Sequence, residues 1–141
     1  MANSQHNSDI LIARINKGNK IVDSIIKFCQ ENEIASAWIT GIGAVSDVKL
    51  AFYDLNKKTF IKKEFKQELE IASLIGNIGL LKKKHVAHLH VILSDKNMAA
   101  FGGHLDEATV AATCEIKLEI FDHPIIRKYD PEIGLNLIQI G

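Results

Sequence analysis

The apolar positions of this chain change period once near the start and then settle. Residues 9–15 are short and rich in branched apolar side chains, which predicts a strand closed by the Lys17-Gly18-Asn19 turn signal. Ile21, Val22, Ile25, Ile26, Phe28 and Cys29 then recur at helical spacing, opposite Lys20, Asp23, Lys27, Gln30 and Glu31. One amphipathic helix is expected over residues 19–32.

Everything after it reads as strand. Residues 34–42 are β-branched and small, with Gly41 and Gly43 marking a bulge or a close backbone approach; residues 45–54 alternate, with Val48, Leu50 and Phe52 on one side. A turn at residues 56–58 leads to a charged edge strand, 59–64, and then to a strand over 65–75 that Gly76-Asn77 should break. Lys82-Lys83-Lys84 reads as a solvated turn. Further strands are expected over 85–95, 99–102, 109–121 and 133–140, the last following the Asp130-Pro131 turn. Roughly eight strands and one helix define an α+β domain, its main amphipathic helix packed on a mostly antiparallel β-sheet.

Composition bounds the function. The 141 residues fit a single domain, 1–141, with a polar N-terminal tail at 1–8, and are enough to bury a core without disulfides or a structural metal. Lys plus Arg equals Asp plus Glu at 17 each, a formal net charge of zero, which is not the basic excess that phosphate-driven DNA binding requires. Cys29 and Cys114 each sit in an apolar pattern and read as buried free thiols, which favours a reducing compartment, the cytoplasm. No apolar run approaches the ~18 residues of a membrane span, and the N-terminus lacks the pattern of an export signal, so a soluble protein with no membrane partner is expected.

Chemistry concentrates in one stretch. His85, His88, His90 and His104 are four of the six histidines. On a strand, Ala87, Leu89, Val91 and Leu93 share the core face, while His88 and His90 point together from the other side, about 7 Å apart along the chain. His85 falls on the core-side register and is set aside.

His104 depends on the turn between the two strands. A two-residue turn at Asn97-Met98 pairs it with Val91, on the wrong face, whereas one residue of slippage, which a bulge at Gly102-Gly103 would supply, sets it opposite His90. On that condition His88, His90 and His104 form a three-histidine metal site with a fourth position open, as in catalytic zinc sites. Zinc is the first expectation, with iron, nickel and copper open on the same donors. Against it stands the simpler reading of surface or hydrogen-bonded histidines, since His-x-His alone is a weak signal.

Glu68, Glu70, Asp106, Glu107 and Glu115 are candidate partners for a ligand histidine, though charged residues on alternating strands usually form the wet face. No catalytic residue can be assigned among them. The chain contains no phosphate-binding loop, no dinucleotide glycine pattern, no Gly-x-Ser-x-Gly elbow and no Cys-x-x-Cys.

Four phrases together resemble the PPC domain, the plants and prokaryotes conserved domain: residues 40–48, 70–78, 88–95 and 102–105. Their order and spacing match, and the resemblance extends from Ile10 to about Leu137. It implies a compact α+β fold assembled as a homotrimer, and a metal held at His88, His90 and His104. Plant members carry an AT-hook that enters the minor groove of DNA, and stand-alone bacterial members are labelled DNA-binding by association. This sequence contains no such element, and Asn97-Met98 stands where similar proteins often show an Asp-Gly turn.

The leading expectation is therefore a homotrimeric PPC-domain protein with a three-histidine metal site, any DNA association being indirect or through assembly. A small metal-dependent enzyme acting on an unknown molecule is the first alternative. An oligomerisation module with structural histidines is the second.

Overall fold

A computed structural model describes residues 10–139. The expected tail at 1–8, the first residue of the expected first strand and the last residue of the expected final strand lie outside them. In chain order the elements are β1 (Ile10–Asn16), α1 (Ile21–Glu31), β2 (Ala37–Asp54), β3 (Thr59–Phe65), β4 (Leu69–Leu81), β5 (Lys84–Ser94), β6 (Ala100–Ile120), β7 (Ile126–Asp130) and β8 (Leu135–Ile138). Among the described residues no helix is long and apolar enough to cross a membrane.

The eight strands form one sheet in which β2 pairs β6, β6 pairs β5, β5 pairs β4 and β4 pairs β2, so these four close a circuit. β1 and β3 add to β6 and β2. The sheet is mixed rather than wholly antiparallel, because Leu80 and Leu81 of β4 pair in parallel with Ile126 and Arg127 of β7.

Two long strands replace pairs of short ones. β2 runs unbroken through the bulge expected at Gly41 and Gly43, joining the two strands expected over 34–42 and 45–54, and β6 runs through 103–108, where bulges against β2 absorb what read as a gap between strands. Gly76-Asn77 likewise lies inside β4. A bulge between Ile71 and Ser73 also reverses the facing of the residues downstream, so Leu74 and Ile78 are buried where strict alternation would point Ile75 inward. The expected lysine turn is a two-residue hairpin turn, with Lys82 and Lys83 both at positive φ.

The helix buries Ile21, Ile25 and Cys29, one face at four-residue spacing, against the strands that contribute Leu89, Leu93, Val110 and Cys114. Fully burying each isoleucine contributes about 2 kcal/mol. Burial raises both thiols, Cys29 and Cys114, to about 11, so they are protonated packing groups rather than nucleophiles.

Lys20 at the N-cap offers no side-chain acceptor, and the first turn is capped from a distance. Glu107 of β6 accepts the backbone N–H of Val22 at 2.8 Å and of Asp23 at 3.2 Å, and its charge faces the positive end of the helix dipole. Replacing Glu107 by alanine should destabilise the protein by about 1–2 kcal/mol in urea unfolding, and by glutamine about half as much. Equal stability of both variants and wild type would refute this role.

Candidate metal centre

β5 is hydrogen-bonded to β4 along its whole length, and its faces separate as alternation requires. Leu89, Val91 and Leu93 are buried, while His88 and His90 stand exposed on the opposite face. His104 is half-buried on β6 and lies directly opposite His90. The three rings sit 5.2, 5.4 and 5.7 Å apart between centroids, and one nitrogen from each falls within 4.8 Å of the others.

The slippage that brings His104 across comes from the turn, not from a bulge at Gly102-Gly103. β5 and β6 pair without a shift from Ser94↔Ala100 to His90↔His104. The connection beyond is a three-residue loop, 96–98, with Met98 N–H bonded to Asp95 O at 2.9 Å and Met98 itself at φ 63°. The Asp95 carboxylate accepts the N–H of Asn97 at 2.8 Å and of Ala99 at 3.0 Å, which holds the loop in the absence of glycine. Gly102 serves close packing instead, since a Cβ there would fall on the carbonyl oxygen of Val91.

The surroundings favour the neutral form of two of the imidazoles, His88 and His104. Although His88 is exposed as a residue, its ring is drawn partly out of water, and it is pushed down to about 4, first by that desolvation, then by the Arg127 charge and by competition with His104 and His90 for protons. His104 is lowered by burial and by His90, against the opposing pull of Asp106, whose Oδ1 lies 3.8 Å from its Nε2. Neutral nitrogen is what a metal ligand must present, so donor type, number and clustering all fit a divalent ion.

The other singled-out residues separate cleanly. His85 Nε2 meets Ile34 O at 2.9 Å and takes no part in the cluster. Asp106 lies beside His104 and pairs with Lys62 at 2.6 Å, and Glu107 caps the helix. Glu68, Glu70 and Glu115 are exposed and lie away from the histidines.

The histidines form the floor of a cleft of about 650 Å³ whose walls include Tyr53, Phe60, Leu135 and Leu137. Arg127 also lines it, a residue that the hydrophobic pattern does not single out because it predicts no strand at β7. Its one visible signal is residue type: it is one of two arginines in a chain that otherwise uses lysine.

A sheet of this topology carrying a three-histidine cluster defines the class. The chain belongs to the Plants and Prokaryotes Conserved (PCC) domain family, whose model matches residues 2–122. Three solved structures are closely similar. A protein of Bacteroides thetaiotaomicron, named as a candidate DNA-binding protein, has a TM-score of 0.89 and 32% identity over 97% of this chain and 94% of its own. A metal-containing protein of Archaeoglobus fulgidus has a TM-score of 0.87 and 33% identity, over 99% and 100%. A plant- and prokaryote-conserved (PPC) protein of Pyrococcus horikoshii has a TM-score of 0.88 and 29% identity, over 99% and 98%. No curated protein matches the chain.

Proposed function

We infer that this is a metal-binding protein in which His88, His90 and His104 hold one divalent ion, zinc first among the candidates. The observation that carries the reading is the convergence of three imidazole nitrogens within 4.8 Å. The name of the Archaeoglobus relative supports it. Bound there, the ion would supply Lewis acidity at a position facing the cleft. That open position favours a second reading, a small metal-dependent enzyme, over a merely structural role for the histidines. Metal analysis of protein purified without a histidine tag tests the site: about one ion per chain supports it, and failure to take up added zinc rejects it.

The same reading includes a homotrimer. Ile12, Ile42 and Ile75 are 81%, 57% and 45% exposed around one apolar groove, a surface that self-association would cover. Sedimentation should give three times the chain mass, and a monomer at micromolar concentration would refute the assembly. A reducing compartment such as the cytoplasm suits the two buried thiols. Any DNA association belongs to such an assembly, because zero net charge supplies little phosphate affinity to the single chain.

A further inference from the structure

Arg127 is 7% exposed, and no carboxylate pairs with it among the described residues. Burying a full charge without a counter-charge is costly, and folded proteins ordinarily pair such groups. Two neutral acceptors hold the guanidinium: Nη2 donates to Asn77 Oδ1 at 2.6 Å and Nη1 to the Asn136 carbonyl at 3.0 Å. Nε is buried with no partner at all. A guanidinium carries five N–H groups, so two bonds leave most of its donor capacity unassigned.

Position gives this cation a use. Asn77 pairs with His88 across β4 and β5, which anchors Arg127 beside the histidine cluster, and both Arg127 and His88 line the same cleft. The fixed charge and a dication on the histidines would together make one strongly positive pocket in a chain of zero net charge. The remaining walls are mostly apolar and aromatic, with Tyr53 tilted against Phe60 at 4.9 Å between centroids and Phe60 tilted against His104 at 5.4 Å.

We propose that the cleft binds an organic oxyanion, a carboxylate or phosphate ester whose charged head lies between Arg127 and the metal and whose apolar body lies among Tyr53, Phe60, Leu135 and Leu137. A planar guanidinium suits either head group, and the missing counter-charge is then supplied by the ligand. The inference rests on the metal reading for one of its two anchors; Arg127 supplies the other by itself.

Calorimetric titration of the zinc-loaded full chain with benzoate, phenyl phosphate and benzamide tests it, zinc being measured on every sample. At least one oxyanion should bind, and benzamide, the neutral analogue of benzoate, should bind roughly tenfold or more weakly. Arg127→Gln should lose roughly tenfold or more in oxyanion affinity with its zinc content unchanged, and Arg127→Lys should lose less. The proposal is overturned if neither oxyanion binds at millimolar concentration, if benzamide binds as tightly as benzoate, or if both variants bind as wild type does. Should Arg127→Gln fail to fold, the lysine variant and the benzamide comparison still decide. A wild-type protein that takes up no zinc refutes the metal reading alone, and oxyanion titration of that metal-free protein against Arg127→Lys then decides for the arginine.

Discussion

Replacing His88 by alanine should empty the metal site. Removing an outer partner of a ligand typically costs 10–100-fold in metal affinity, so losing one of three ligands should exceed about 100-fold. Metal analysis after dialysis against a matched free-zinc buffer should fall from about one ion per chain to roughly a tenth or less. His104→Ala should behave alike, and His85→Ala should keep its zinc, because that ring is turned to Ile34 O. Thermal melting gives an independent reading. Zinc at a hundredfold excess over its dissociation constant contributes about 2.7 kcal/mol, or about 9 °C for a chain of this size, and the two site variants should gain none of it. Full zinc content in His88→Ala would remove the proposed site. Acid acts in a defined direction on the metal-free protein. Unfolded His88 takes up its proton near 6.5 and folded His88 only near 4, so this contribution is present above pH 6.5 and is lost as pH falls through that interval.

Gly76→Ala should both destabilise the fold and disturb the site. Gly76 pairs with Leu89 across β4 and β5, and an added Cβ would fall on the carbonyl oxygen of His88 and lie 2.8 Å from Leu89 Cα. Those are backbone atoms, which no rotamer change can move aside. β5 must shift at the segment carrying His88 and His90, and we expect a loss of about 3 kcal/mol in urea unfolding. The surviving folded protein should bind zinc at least about tenfold more weakly, since ligand placement tolerates errors of only ~0.5 Å. Gly18→Ala is the control. It has open space around its Cα and a φ of 84°, so it should cost about 1 kcal/mol of backbone strain and leave zinc affinity unchanged. Wild-type stability and zinc affinity in Gly76→Ala would show that the two strands tolerate separation there.

The helix and the histidine face are legible in the sequence because each rests on one uninterrupted period. Ile21, Ile25 and Cys29 repeat every four residues, and Leu89, Val91 and Leu93 every two, so the residues on the opposite faces are fixed with them. Strand ends are not legible. Gly41 and Gly43 do announce the bulge and close approach found in β2, but Gly76 carries the same letter as a turn glycine and yet marks a place where neighbouring backbones approach too closely for a Cβ, a tertiary fact. His104 joins the cluster by a different route from the expected glycine bulge. Its register depends on a loop closed by the Asp95 side chain with Met98 at positive φ, a conformation methionine does not advertise. Arg127 escapes notice together with β7, a five-residue strand held to β4 by two parallel pairs and by Asn77.

The closed circuit of β2, β6, β5 and β4 bears on how such a site fills. β5 is bonded to β4 on one edge and, from His90 to Ser94, to β6 on the other, so its ligands stand on backbone held by core packing rather than by the ion. Zinc fingers gain their fold with their metal, whereas here the imidazoles are gathered beforehand. Loading and unloading of the proposed site would then be exchange on a standing frame. Occupancy would follow the free-metal concentration around the protein, and the emptied chain would persist, ready to take up an ion again.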